Sequence, residues 1–232
     1  MKLSSFIKTG AAALLLTSTF THATGMVPET SVVMVEQQDG EGSISIKNTD
    51  SYPVLLITAL QSIPEDKAPQ LAITPPAARV EPGKSQVVRF MLAEKTPLTT
   101  EHLMRVTFEG VPPQQKNQNV VRMSVRQNLP VLIRPTGLAK DAAPWKRLTW
   151  KQSGDSLTVS NTSPYVVRLG QGVQTLPDNT NWLLATPYVL PGQTLTLKMD
   201  GAKKAGTAAK VRISPATNWG YTVDNYDAEL VK

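Results

Sequence analysis

Catalysis needs nucleophiles, bases or metal ligands, and this chain is short of all three. It has two histidines, His22 and His102, and no cysteine. His22 falls in an N-terminal leader, and a single remaining histidine cannot build a His-based metal site. The missing thiols exclude thiolate nucleophiles, Cys-ligated zinc and disulfides. A Ser-His-Asp triad would have to use His102, yet no Gly-x-Ser-x-Gly turn accompanies it. His102 therefore reads as an ordinary loop or strand-start residue. Gly83-Lys84-Ser85 resembles the end of a phosphate-binding loop. However, Ala78 stands where the earlier glycine belongs, Pro82 precedes Gly83, and the next element is a strand rather than a helix. A turn is the better reading. Glu65-Asp66 lies in a loop without the spacing of an acid–base pair. No catalytic residue, metal or cofactor is expected, and the chain does not read as an enzyme.

The residues that can do something are on a strand. Residues 119–130 read Asn119-Val120-Val121-Arg122-Met123-Ser124-Val125-Arg126-Gln127-Asn128-Leu129-Pro130, followed by Val131-Leu132-Ile133-Arg134-Pro135. Side chains alternate along a strand, so Val121, Met123 and Val125 share one face and Val120, Arg122, Ser124 and Arg126 the other. A long strand with two arginines and then a proline is expected at a sheet edge rather than buried on both faces. An apolar open edge is an aggregation hazard unless it is kept for pairing with another protein's strand. The alternative is that Val121, Met123 and Val125 face the protein's own core.

Those residues need a scaffold, and the rest of the chain describes one. Its 232 residues suffice for two domains of ~100 residues each. Residues 1–23 read as a signal peptide: Lys2 and Lys8 give the basic start, residues 11–16 the apolar run, and Thr21-His22-Ala23 the small residues before cleavage. That run is too short to span a bilayer and no other segment is longer, so no membrane insertion is expected. The formal net charge is +6, and two of the lysines leave with the leader. The remaining Lys and Arg are scattered without a helical nucleic-acid motif, so nucleic acid is not an expected partner.

No window carries a sustained 3.6-residue repeat. Short alternating runs bounded by Pro, Gly, Asn and Asp predict strands at 31–36, 43–47, 53–60, 86–92, 103–108 and 119–133. A second series comes at 148–151, 157–160, 165–169, 194–199 and 210–214. The boundary is placed between 24–137 and 138–232. The halves echo one another. Asn48-Thr49 precedes Pro53 as Asn161-Thr162 precedes Pro164, and Glu81-Pro82-Gly83 precedes one strand as Leu190-Pro191-Gly192 precedes another. An all-β chain of two related immunoglobulin-like sandwiches is predicted.

Several segments, in order over nearly the whole chain after the leader, resemble the periplasmic pilus-assembly chaperones of the PapD type. They are Thr74-Pro75-Pro76, Arg79-x-Glu81-Pro82-Gly83, Val88-Arg89, Glu101-His102-Leu103, Val111-Pro112-Pro113, residues 119–135, and Asn161-Thr162-Ser163-Pro164-Tyr165. The resemblance implies two Ig-like domains set in an L or boomerang. It implies a periplasmic location and a chaperone that lends its long edge strand to an incomplete pilus or fimbrial subunit before an outer-membrane usher receives it. Asn119, Val121, Met123 and Val125 then form the subunit-binding strand. The short loop before it, 112–118, resembles the branch of the family that assembles rod-like pili. Glu101 and Arg134 match positions of an interdomain ionic network, with Asn218 where the family has Asp. Pro53 and Pro75 match prolines at the usher contact.

The chain also departs from the family. The subunit's terminal carboxylate is usually held by an Arg on the first strand and a Lys late on the long strand, and here those positions read Ser31 and Pro130. Arg89, Arg126 or Arg134 are candidates for a relocated anchor. Two rival functions stand beside the chaperone. A structural pilin or adhesin is disfavoured by the missing cysteines and the two complete strand series. A carbohydrate-binding sandwich would use Trp145, Trp150, Trp182 or Trp219.

Overall fold

A computed structural model describes residues 25–94, 96–113, 124–201, 204–217 and 223–231. Asn119, Val121, Met123 and Asn218 lie outside the described residues. The first strand series is β1 (Met26–Pro28), β2 (Val33–Glu36), β3 (Glu41–Asn48), β4 (Val54–Ser62), β5 (Leu71–Thr74), β6 (Ala77–Val80), β7 (Ser85–Leu92), β8 (His102–Val111) and β9 (Arg126–Arg134). A 3-10 turn at Pro144–Arg147 leads into β10 (Leu148–Ser153), β11 (Ser156–Asn161), β12 (Val167–Leu169), β13 (Gly172–Leu176) and β14 (Asn181–Leu183). β15 (Tyr188–Val189), β16 (Thr194–Met199), β17 (Lys210–Ile213), β18 (Pro215–Ala216) and β19 (Tyr226–Val231) complete the chain.

In the first half the pairing order is β5-β7-β3-β2-β9-β8-β4-β6, with β1 on β3. Alternation sends one face inward: Val88 and Phe90 of β7 are buried while Val87 and Met91 are exposed. Val33, Val35, Ile44, Ile46, Phe90 and Phe108 meet in a core that β1–β9 enclose. Burying each such side chain is worth ~1.5–3 kcal/mol, which is what holds a cysteine-free sandwich together. The second half closes β10-β11-β16-β14-β13-β17-β19 into a barrel, flanked by a sheet β15-β12-β18. Its core takes Trp145, Trp150 and Trp182, at most 7% exposed, so these three are packing residues and not a sugar-stacking platform. Trp219 lies outside the described residues.

The sequence echo is a repeated clasp. Asn48 is fully buried, donates its amide to the carbonyls of Tyr52 and Val80 (both 2.9 Å), and accepts from the Asp50 N–H (2.9 Å). Asn161, equally buried, donates to Tyr165 (2.8 Å) and Val189 (3.0 Å) and accepts from the Ser163 N–H (3.1 Å). The main-chain carbonyl of each asparagine accepts from a turn glycine, Gly83 at 2.9 Å or Gly192 at 2.7 Å. Both glycines have positive φ, 70° and 73°, a conformation open to them because they lack Cβ.

The expected edge character of 119–135 holds for only part of the strand. β9 pairs antiparallel with β8 from Arg126 to Ile133, and β2 lies parallel on its other side from Val131 to Arg134. The stretch from Val131 is therefore interior, and Pro130 to Arg134 are all buried. The physical reason is that both faces are covered. Val131 and Ile133 enter the first core, whereas Leu132 enters a smaller cluster with Val32, Leu103, Val166, Tyr188 and Leu190. That cluster draws on both halves and joins them.

Candidate functional site: an open strand edge beside an interdomain cleft

Among the described residues β9 has one paired neighbour, β8, from Arg126 to Pro130, because β2 begins only opposite Val131. Among the described residues its other edge is open over this stretch. Arg126 donates to Glu109 across the pair through both Nε and Nη2, and Gln127 donates to the Met26 carbonyl at 2.9 Å. By period two, Val125 continues the side of Leu129, Val131 and Ile133, yet it is 54% exposed and stands outside the core. Asn119, Val121 and Met123 precede it beyond the described residues.

Where the open edge ends, a cleft begins. A cavity of about 250 Å³ is lined by Leu103 and Arg105 of β8, Pro130 of β9, Arg168 of β12, Tyr188 of β15 and their neighbours. Arg105 donates to the side-chain and main-chain oxygens of Asn128, at 2.8 and 2.7 Å. Arg168 donates to the Thr217 carbonyl at 3.2 Å. Burial, reinforced by the like charge of Arg105, pushes the Arg168 guanidinium down to about 10, and burial lowers Arg105 as well. Tyr188 donates to Glu65 at 3.1 Å, and its phenol is pushed up to about 12 by burial and by that carboxylate.

Behind the cleft Glu101, 1% exposed, ties the halves together. Its Oε1 accepts from Arg134 Nε at 3.1 Å and its Oε2 from the Val166 N–H at 2.9 Å, while its own N–H donates to the Pro164 carbonyl at 2.8 Å. Arg134 Nη1 also donates to Glu36 at 3.1 Å. Burial raises Glu101 above the ordinary carboxylate range, opposed by the Val166 N–H and by Arg134.

The other residues singled out in the sequence are spread apart. Arg89 is exposed on β7, Arg126 is engaged with Glu109, and neither lines the cavity; Arg134 is committed to Glu101 and Glu36. Ser31 is exposed just before β2. Pro53 precedes β4, whose outer face exposes Leu55 and Ile57, and Pro75 comes after β5 through a cis bond. Among the described residues no group of His, Asp and Glu has a metal-binding arrangement. Sequence reasoning missed Arg105, Arg168 and Glu36. The one signal for the two arginines was a cation interrupting an apolar run, Leu103-Met104-Arg105-Val106 and Val166-Val167-Arg168-Leu169.

The site is thus set in an all-β pair of sandwich and barrel, joined by a buried carboxylate–guanidinium bridge beside a strand edge that is unpaired among the described residues. The family models agree: residues 25–139 match the pili and flagellar-assembly chaperone, PapD N-terminal domain, and residues 143–226 the pili assembly chaperone PapD, C-terminal domain. The chain belongs to this family of pilus-assembly chaperones of the chaperone–usher type, which are not enzymes. It is 44% identical over 215 residues to the uncharacterized fimbrial chaperone YhcA of Escherichia coli (strain K12), covering 92% of this chain and 94% of that one. It is 25% identical over 216 residues to the chaperone protein MrkB of Klebsiella pneumoniae, covering 83% and 93%. Among solved structures it is similar to the YadV chaperone, with TM-score 0.73, 20% identity and coverage of 89% and 100%. It is similarly close to a chain of the Salmonella enterica SafA pilin–SafB chaperone complex, with TM-score 0.72, 20% identity and coverage of 90% and 98%.

Proposed function

We propose that the protein works in the periplasm, reached through the leader at residues 1–23. There it completes an unfinished pilus subunit by lending it the edge strand that runs from Asn119 into β9, and then passes the subunit to an outer-membrane usher. The observation that carries this reading is the open edge of β9 at Arg126–Pro130, with Val125 exposed at its start. Strand addition supplies sequence-tolerant main-chain hydrogen bonds, and alternate side chains supply the fit. Val121, Met123 and Val125 are assigned to the subunit's apolar groove. The SafA pilin–SafB complex supports a pilin as the partner class. Pro53 and Pro75, near the exposed Leu55 and Ile57, are assigned to the usher contact.

The test is co-expression with fimbrial subunits followed by affinity recovery. Met123→Glu drives a charge into an apolar groove at a cost of several kcal/mol, on the order of 2–7 kcal/mol or more, and abolishes recovery. Ser124→Glu, on the opposite face, leaves recovery intact. Equal losses from the two substitutions would refute the face assignment, and no recovery with the wild-type chain would refute the function.

A further inference from the structure

The linker between the halves is tied down from both ends. On the first half, the Arg134 carbonyl accepts from the Gln37 N–H at 2.9 Å, and the Thr136 N–H donates to Gln37 Oε1 at 3.1 Å. Gln37 is itself anchored, donating Nε2 to the Thr96 carbonyl at 2.7 Å. On the second half, the Tyr165 hydroxyl donates to the Ala139 carbonyl at 2.9 Å. Tyr165 is buried, and the Arg147 guanidinium lies 5.1 Å from the centre of its ring. Arg147 also donates to Asp141 at 2.5 Å, and Pro144 and Trp145 then enter the second half as buried residues. Between Thr136 and Ala139 stand only Gly137 and Leu138. Among the described residues neither makes a hydrogen bond to the body of either half. The Leu138 N–H reaches only back to the Pro135 carbonyl, at 3.3 Å, across a turn.

Gly137 is the soft point of that turn. It is exposed, its φ is 79°, and a side chain there would meet nothing within 4 Å. With no Cβ and no packing to restrain it, its backbone is the least costly place to absorb a rotation. The bonds that resist such a rotation converge on the residues flanking Tyr165. The Pro164 carbonyl accepts from the Glu101 N–H and the Val166 N–H donates to the Glu101 carboxylate, at 2.8 and 2.9 Å. These bonds are directional, whereas the apolar cluster of Leu103, Leu132, Val166 and Tyr188 is not and tolerates small slides. One loop thus holds the linker by a side chain and the first half by its main chain. We propose that the halves turn about one residue, Gly137, and that the Tyr165 hydroxyl straps the linker so that the turning is confined there. Such turning changes the width of the cleft, whose walls come one from each half. The hinge is a property of the chain alone and does not rest on the function proposed above.

The chain has no cysteine, so paired spin labels can be introduced without first removing a thiol. Ser43→Cys with Thr196→Cys, and Val87→Cys with Thr149→Cys, each put one label on the exposed surface of either half. Pulsed electron–electron double resonance then reads the distribution of distances between the halves in the intact protein. Releasing the Glu101 bonds with Glu101→Ala should broaden that distribution. Adding Gly137→Asn should narrow it again, because asparagine accepts positive φ but has fewer backbone states than glycine. Gly137→Asp serves in its place if that variant does not fold. Adding Tyr165→Phe to Glu101→Ala should instead broaden the distribution further. Because the ring stays in place, the accompanying fall in Tm should be no more than about 2–4 °C, that of one lost hydroxyl bond. Broadening that survives substitution of Gly137 would overturn the hinge. A distribution no wider with Tyr165→Phe than with Glu101→Ala alone would overturn the strap. No broadening in any variant would overturn both.

Discussion

Replacing Glu101 by alanine probes how firmly the halves are joined. The substitution removes two contacts at once. The Val166 N–H, on a fully buried residue, loses its acceptor, and a buried donor without a partner costs about 1–3 kcal/mol. Arg134, whose side chain is 3% exposed, loses one of its two carboxylates. Removing one partner of a buried ion pair typically costs ~3–5 kcal/mol, but two features pull the value down here. Glu36 still accepts from Arg134, and alanine relieves the burial penalty that raises the Glu101 pKa. The net loss is then ~3 kcal/mol, and for a chain of this size it corresponds to a fall in Tm of about 6–12 °C. Differential scanning calorimetry measures it, and small-angle scattering should record a looser arrangement of the two halves. A Tm within about 2 °C of wild type, with unchanged scattering, would refute the reasoning.

Glu101→Gln adds a pH test. The folded state holds the Glu101 proton more tightly than the unfolded chain, whose reference value is 4.5. Its stabilising contribution is therefore complete below that value and is lost as pH rises through the higher folded pKa, so the Tm of Glu101→Gln relative to wild type should climb as pH rises above 4.5. A flat difference would remove the inferred burial penalty. Asn48→Ala and Asn161→Ala each delete a buried amide with bonds to two carbonyls and one N–H, and each should cost about 2–4 kcal/mol by chemical denaturation. The double variant should lose close to the sum, since the clasps share no partner. Val125→Asp should leave the melting temperature within about 1 °C of wild type, because the side chain is 54% exposed, while reducing subunit recovery.

Strands with clean alternation are readable in the sequence. β7 and β4 fall within a residue or two of their expected spans, since inward Val88, Phe90, Val54 and Leu56 alternate with outward residues. Short strands are legible only where an apolar run marks them, as in β2, β12 and β17. β1, β5, β6, β13, β14, β15 and β18 have five residues or fewer and are missed, because in pieces this short period two does not by itself stand out from turn sequence. β19 escapes because Tyr226–Val231 mixes acids with apolar residues on a half-covered surface. The edge reading of 119–135 fails from Val131 because an unbroken Val131-Leu132-Ile133 run signals cover on both faces, and the arginines draw attention away from it. Glu101 and Arg134 are reached through resemblance, whereas Arg105 and Arg168 lie far apart in sequence and meet only when the two halves fold against each other.

For a strand added as proposed above, the abrupt start of β2 opposite Val131 would also work as a ruler. Side-chain direction reverses with every residue, so a slip of one position would turn a strand's whole apolar set outward. A hard stop at one end of the open edge would fix that count from the end of a strand so added, without reading its side chains. Chains that differ in sequence but share the same spacing back from their last residue would all seat with the same parity. Selectivity would thereby move from residue identity to distance from the chain end.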